Sequence, residues 1–285
     1  MKKIVLTPNP YRDKNFKYVT LAEKILREAG MDTRICLAFD VDKNFALPQN
    51  VPCYDMEEEL EDADLLVCFG GDGTILHASK AATRAGIPVL GVNIGTVGFM
   101  AELEGGELKQ LRRLAENDYS IEERIMLQVA AEHEGKQIFD AVALNDAVIA
   151  KGAVARTVQM EVFCDDAQMM DFSGDGLVVC TPTGSTAYSM SAGGPIVEPC
   201  ADTIIVTPIC AHDMRTKAII TSSARTITVN IGRIGRKNAF LCVDGGRGLR
   251  LSAGDRITVR KSAHTTKLVR LANRSFFEVV NNKLK

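Results

Sequence analysis

Three stretches of this chain carry residues whose types and spacing suit chemistry at a phosphate or a sugar. The first is Gly70-Gly71-Asp72-Gly73-Thr74, one carboxylate among glycines. Glycine takes positive φ and lets the backbone approach a ligand closely. Amides bared at a turn before a helix attract phosphate, while a carboxylate there repels it unless a cation or a proton transfer gives it a role. Taken alone, the tetrapeptide Gly70-Gly71-Asp72-Gly73 is also an ordinary tight turn. Its setting says more. The apolar run Leu65 to Phe69 precedes it, and a second strand, Ile87 to Val92, ends in another glycine loop, Asn93-Ile94-Gly95-Thr96-Val97-Gly98-Phe99. Glycine loops after successive parallel strands share the carboxyl edge of a sheet, where open α/β folds bind ligands.

The second stretch, Asn145-Asp146, is embedded in an apolar β run. Asp offers only acceptors and Asn both kinds of group, so the pair can hold sugar hydroxyls and a base edge, or simply form a β-turn or bulge. The third is Thr181-Pro182-Thr183-Gly184-Ser185-Thr186, after the strand Leu177 to Cys180 and before a short helical stretch ended by Gly193-Gly194-Pro195. Its hydroxyls suit a loop that wraps a polar ligand, and equally a redundantly capped helix start. Tyr188 adds a flat apolar face with a polar tip.

These groups need elements to hold them. Lys3 to Thr7 reads as a strand, Asp13 to Ala29 as a helix by the spacing of Val19, Ala22, Ile25, Leu26 and Ala29, and Thr33 to Phe39 as a second strand. Residues 40 to 54 read as a loop, and the acidic run Glu57 to Glu61 as a solvated helix face. Thr74 is the predicted N-cap of a helix over Ile75 to Ala85, which Gly86 and Pro88 stop. The resulting β-α-β-loop-β-α-β order implies a parallel sheet with right-handed crossovers. A polar helix, Gly106 to Asn117, turns Leu108, Leu111 and Leu114 inward. From Ile121 to about Arg270 the periodicity is mostly two, with turn signals at Glu134-Gly135-Lys136, Asp165-Asp166, Gly232 to Lys237 and Ala253-Gly254-Asp255, so an antiparallel β domain is expected. Ser275 to Lys285 reads as a short helix.

Composition sets the outer limits. At 285 residues the chain is long enough for two domains. With 34 basic and 36 acidic residues, net charge -2, it has no general attraction for nucleic acid or an anionic membrane, so any anion is held locally. No apolar run approaches membrane-spanning length. The start, MKKIVLTPNP, has the lysines of a signal peptide but too short an apolar part, and fits strand one better. Eight cysteines form no CxxC pair and share no spacing with the four histidines, so no zinc or other protein metal site is expected. Cys68, Cys180 and Cys242 lie in apolar runs, which suits a reducing, cytoplasmic setting.

In this order Gly70-Gly71-Asp72-Gly73-Thr74, Asn93-x-Gly95-x-x-Gly98-Phe99, Asn145-Asp146 and Thr181 to Tyr188 resemble the NAD kinase family, from about residue 60 to 250. GGDGT is shared with diacylglycerol and sphingosine kinases and resembles a phosphofructokinase motif; TPTGSTAY is the specific segment. The resemblance implies a Rossmann-like parallel α/β N-terminal domain (1–110, completed by about 270–285) and a β-sandwich-like, NAD-binding C-terminal domain (111–270). It also implies NAD lying between them in a homodimer or homotetramer. The implied reaction moves a phosphoryl group from ATP or polyphosphate to the 2′-hydroxyl of the adenosine ribose of NAD, with a divalent cation, Mg2+. By position, Asp72 is the proton acceptor. Gly71, Gly73, Thr74, Asn93, Gly95 and Phe99 surround it in the nucleotide site. Asn145, Asp146, Thr183, Thr186, Ala187, Tyr188 and Ser191 contact the nucleoside, and Arg156 and Asp175 match further dinucleotide positions, Asp175 toward a neighbouring subunit.

Three positions depart from the family pattern. Ser173 replaces a frequent basic residue, Ala211-His212-Asp213 with Lys217 replaces a proline-histidine-serine stretch with a following arginine, and Gly246 replaces a polar residue after Asp244-Gly245. These bear on fine contacts and on the choice between NAD and NADH. Two rival readings remain at this stage. A lipid kinase would share GGDGT, yet neither the TPTGSTAY loop nor the absence of a basic amphipathic stretch suits it. A non-catalytic dinucleotide sensor has no use for Asp72, and no G-x-G-x-x-G follows strand one.

Overall fold

In the computed structural model, which describes residues 1–38, 47–48, 51–95, 98–152, 157–213, 215–232, 239–271 and 274–284, the chain divides into two units. One comprises Met1–Glu123 with Thr266–Lys285, the other Arg124–Thr265.

The first unit is a parallel sheet with helices. Strands β1 (Lys3–Pro8), β2 (Asp32–Ile35), β3 (Leu65–Gly70) and β4 (Val89–Asn93) lie in the order β4-β3-β1-β2, all parallel. All of β3 is buried, as a continuous apolar run requires of a strand covered on both faces. The short β5 (Leu103–Glu104) and Leu268, opposite Val89, pair with β4. Helix α1 (Lys17–Glu28) buries Val19, Ala22, Ile25 and Leu26, the predicted stripe. It begins later than Asp13 because Asn15 and Phe16 adopt positive φ. Asp13 is instead buried, its carboxylate accepting from Tyr18 N and Val19 N at 2.9 Å each. The second strand stops at Ile35, short of Phe39; most of the predicted 40 to 54 loop, and Phe39 itself, lie outside the described residues.

The acidic run lies on α2 (Met56–Leu60), which buries only Met56 and Leu60. Helix α3 (Asp72–Ala85) ends at Gly86, φ +74°, as predicted, but starts earlier than predicted: Gly71 is its N-cap and Thr74 is inside it. The segment predicted as a polar helix after residue 106 is a 3₁₀ helix, Leu108–Leu114. Leu108, Leu111 and Leu114 are buried at a spacing of three, which three residues per turn stacks along one line.

In the second unit the strands are β6 (Ser120–His133), β7 (Lys136–Ala143), β8 (Asp146–Lys151), β9 (Val158–Cys164), β10 (Ala167–Gly174) and β11 (Gly176–Cys180). They are followed by β12 (Thr203–Ile209), β13 (Ile219–Ser222), β14 (Ile227–Ile231), β15 (Ala239–Val243), β16 (Leu249–Leu251) and β17 (Arg256–Arg270), the last continuing into the first unit. One sheet runs β10-β9-β14-β17 with β6 and β7 beyond, the other β13-β12-β11-β8-β15-β16. Alternate residues such as Leu127 and Val129, Met160 and Val162, Leu177 and Val179, and Ile204 and Val206 form one buried core, the arrangement of a β-sandwich. The predicted turns carry left-handed residues at Glu134, Gly135, Asp165 and Gly254; Gly232 to Lys237 lies mostly outside the described residues. A single-turn helix, α4 (Tyr188–Ser191), follows β11, and α5 (Phe276–Lys283) closes the chain with a Ser275–Glu278 capping box. No described helix is long and apolar enough to cross a membrane.

Candidate active site

In the first unit, β3 and β4 are in parallel register with Gly70 opposite Asn93, so the loops that follow them emerge side by side. Asp72 is the first residue of α3, and its carboxylate reaches across to the second loop. Oδ2 accepts from Phe99 N at 2.8 Å and Oδ1 from Met100 N at 3.1 Å. A Cβ on Gly98 would collide with that carboxylate, so a side chain there would displace it from this position. The side chain of Asp72 stays 33% exposed, leaving its remaining lone pairs open to a ligand.

The other predicted residues of this edge divide by role. Gly71 and Gly95 stand in the two turns, and Gly73 lies in the first turn of α3. Asn93 is buried and braces the second loop: its Nδ2 donates to Glu104 Oε2 at 2.7 Å and its Oδ1 accepts from Gly95 N at 3.2 Å. Thr74 is buried, not capping, and accepts from Asn9 Nδ2 at 2.8 Å. Thr96 and Val97 lie outside the described residues.

In the second unit, Leu144 and Asn145 form the bend between β7 and β8, and Asp146 starts β8. The bend is wrapped around a residue that sequence reasoning met only as the start of a departing triplet. Asp244, at φ +49°, accepts from Leu144 N (2.9 Å), Asn145 N (2.8 Å) and Asp146 N (3.1 Å). Three backbone donors converging on one carboxylate fix the backbone of the bend that carries the pair. Asn145 Oδ1 is buried without a partner among the described residues, and Asp146 is 5% exposed. Burial, with the Asp244 carboxylate beside it, pushes the Asp146 carboxyl up to about 7.

The hydroxyl-rich segment uses most of its hydroxyls on itself. Thr181 Oγ1 donates to Leu144 O at 2.6 Å and accepts from Gly184 N at 3.1 Å. Thr183 Oγ1 accepts from Arg124 at 3.1 Å, Ser185 Oγ bonds Pro182 O and Val197 N, and Thr186 Oγ1 donates to Thr183 O. Thr181, Thr183 and Ser185 are buried, and the Thr181 bond to the Leu144 carbonyl braces the Asn145-Asp146 bend. A Cβ on Gly184 would collide with the Asn145 carbonyl oxygen, which shows how closely the two segments meet. What faces solvent is Thr186 and Ala187, half-buried, then Tyr188 and Ser191, exposed.

Asp175 is not brought to this group. It precedes β11, paired with Lys151 Nζ at 2.6 Å, at the opposite end of β8 from Asp146, about 15 Å away at strand rise. Arg156 lies outside the described residues. Ser173 and Gly246, two of the departures, sit in β10 and in the turn after β15. Burial pushes the thiols of Cys36 and Cys180 up to about 12, which makes them packing groups rather than nucleophiles.

Comparison with known proteins places this geometry. Residues 43–119 match the family model of the ATP-NAD kinase N-terminal domain and 144–271 that of the ATP-NAD kinase C-terminal domain. The NAD kinase of Acetivibrio thermocellus is 37% identical over 287 residues, covering 100% of this chain and 97% of that protein. That of Geobacter sulfurreducens is 42% identical over 224 residues, 78% of each chain. Among solved structures, yeast NADH kinase complexed with NADH superposes with a TM-score of 0.84 at 24% identity, over 100% of this chain and 87% of that one. An Archaeoglobus fulgidus NAD kinase in complex with ATP gives 0.75, also at 24%, over 100% and 98%. At that identity the solved structures show the fold.

Proposed function

We infer the reaction and its residues from one premise: the chain belongs to the NAD kinase family. It is an enzyme that phosphorylates NAD. The acceptor is the 2′-hydroxyl of the adenosine ribose, the donor ATP or another condensed phosphate, and the product NADP. The bond from the 2′-oxygen to the γ-phosphorus forms as the bond from that phosphorus to the β–γ bridging oxygen breaks. The electron pair leaves on ADP, and the hydroxyl proton passes to Asp72.

The observation that carries this assignment is the Asp72 carboxylate, held open at the carboxyl edge by two backbone amides. An ordinary carboxylate titrates near 3.9 and an alcohol is weaker than a phenol near 10, so proton transfer ahead of attack costs more than about 8 kcal/mol. In a loose transition state the hydroxyl turns acidic only as its bond to phosphorus forms. Asp72 therefore orients the nucleophile and accepts the proton late. Most of the acceleration comes from alignment and from charge at the glycine turns.

Among the described residues no three His, Cys, Asp or Glu side chains cluster. A hard divalent cation accompanying the phosphoryl donor would meet the Asp72 carboxylate at this edge. Bound there, such a cation neutralises phosphate charge. In the second unit we assign the nucleoside to Asn145, Asp146, Thr186, Ala187, Tyr188 and Ser191. The unpartnered Asn145 Oδ1 and the exposed Tyr188 ring support this. We assign Arg156 to a further dinucleotide contact and Asp175 to the site of a neighbouring copy in a homodimer or homotetramer, which suits the distance of Asp175 from Asp146 along β8. The eight free cysteines are consistent with a reducing cytoplasm.

The test is direct. Purified protein with NAD, magnesium and either ATP or polyphosphate should yield NADP, and Asp72→Asn should nearly abolish turnover with NAD affinity within a few fold. An Asn variant retaining about a tenth of the rate would overturn the base assignment.

A further inference from the structure

Two cations stand at the edge that holds Asp72, and both lie outside the segments that the family models match. The first is Arg12, in the loop between β1 and α1. That loop is pinned to the glycine turn and to the helix after it: Asn9 N donates to Phe69 O at 2.8 Å, Asn9 Nδ2 donates to Thr74, and the neighbouring Asp13 caps α1. From this fixed base the Arg12 guanidinium lies along both glycine turns. Nη1 is 3.6 Å from the position a Cβ on Gly71 would take and 2.5 Å from that on Gly95. Arg12 is exposed, and among the described residues no carboxylate pairs with it.

The second is Lys283, in the last turn of α5. Its Nζ is 4.0 Å from Asp72 Oδ2 and 4.1 Å from the centroid of the Phe99 ring. The helix is capped yet buries none of its residues, so core packing does not account for its place. What it brings to the edge is one positive charge beside the reacting carboxylate.

A planar arginine fork matches phosphate oxygens in pairs, and a lysine serves as a mobile point charge. Both are what a glycine turn carrying a carboxylate lacks for holding a highly charged donor. We propose that Arg12 and Lys283 bind the phosphate chain of the phosphoryl donor, Arg12 along the glycine turns and Lys283 beside Asp72, at the transferring group. The ion pair of Lys283 with Asp72 is partly exposed and long, hence weak enough to exchange for phosphate when the donor arrives. This rests on the NAD kinase reading above.

The experiment compares Arg12→Gln, Lys283→Met, the double variant and Lys283→Arg with the unaltered protein. ATP is varied at saturating NAD, then NAD at saturating ATP, and binding of inorganic tripolyphosphate with magnesium is titrated by calorimetry. Each single variant should raise the KM for ATP about tenfold and the double variant about a hundredfold, with the KM for NAD within about twofold. Tripolyphosphate binding should weaken in parallel, and Lys283→Arg should restore most of the loss. A KM for ATP within about twofold in the double variant, or an equal rise in the KM for NAD, overturns the proposal. Both residues are exposed, so unchanged thermal unfolding is expected and checks that the variants are folded. Failure of the unaltered protein to make NADP would strike at the function itself, while the tripolyphosphate titration would still decide the phosphate site.

Discussion

The glycine edge of the first unit and the hydroxyl-rich loop of the second treat their distinctive residues in opposite ways. At the glycine edge the polar group is left open: Asp72 is held by two amides of a neighbouring loop and keeps a third of its side chain exposed. In the loop, the residues that make the sequence so distinctive turn inward. Thr181, Thr183 and Ser185 satisfy backbone groups and Arg124, and so set the bend that displays Asn145 and Asp146. A sequence motif can thus mark a site by supplying its chemistry or by building its frame, and the two kinds respond differently to mutation.

That contrast can be broken most decisively at Asp72. Asp72→Asn should lower kcat by about a thousandfold or more and cost only about 1 kcal/mol in urea unfolding, because the amide oxygen still accepts one of the two N–H bonds. A large loss of stability would make Asp72 a frame residue instead. Asp244→Ala tests the opposite case: three N–H donors lose their acceptor, and the protein should lose about 3 kcal/mol in denaturant unfolding together with NAD affinity. Thr183→Val should cost about 1 kcal/mol through its bond with Arg124, with KM for NAD little changed, whereas Tyr188→Ala should weaken NAD binding several-fold at constant stability.

A pH series sharpens the same distinction at Asp146. Its folded value, about 7, lies above the ordinary 3.8, so between those values the folded state binds more protons than the unfolded one. Stability contributed at this site should therefore be full below about 4 and fall as pH rises through 7. Asp146→Asn should flatten that fall, and an identical pH dependence in the variant would remove Asp146 as its source.

Much of the frame was legible in the sequence because burial leaves a pattern. The unbroken apolar run of β3, the helical stripe of α1 and the alternation of the second half all follow from which faces are covered. Local steric effects were harder to read. Asn15 and Phe16 in positive φ shortened α1, and the i, i+3 leucines gave a 3₁₀ turn. At the site, Asp72 and Asn145-Asp146 announced themselves by being polar within apolar strands and glycines. Asp244 did not, since its role depends on a bend 98 to 100 residues earlier. Arg12 and Lys283 left no signal, because exposed cations at loop and helix ends have no periodicity.

The parallel sheet of the first unit contains one more consequence, for the order of events in making the protein. Its β4 edge is bordered by residues from the far end of the chain. Thr83 bonds Thr266 across 183 positions, and the buried Glu102 accepts from Leu271 N across 169 and pairs with Arg270. During synthesis this half of the fold therefore waits, with a strand edge open and a buried-to-be carboxylate still solvated, until the whole intervening sandwich has been made. Contacts of such sequence separation make for slow folding, and the exposed edge of β4 is the place where an unfinished chain is most prone to pair with another.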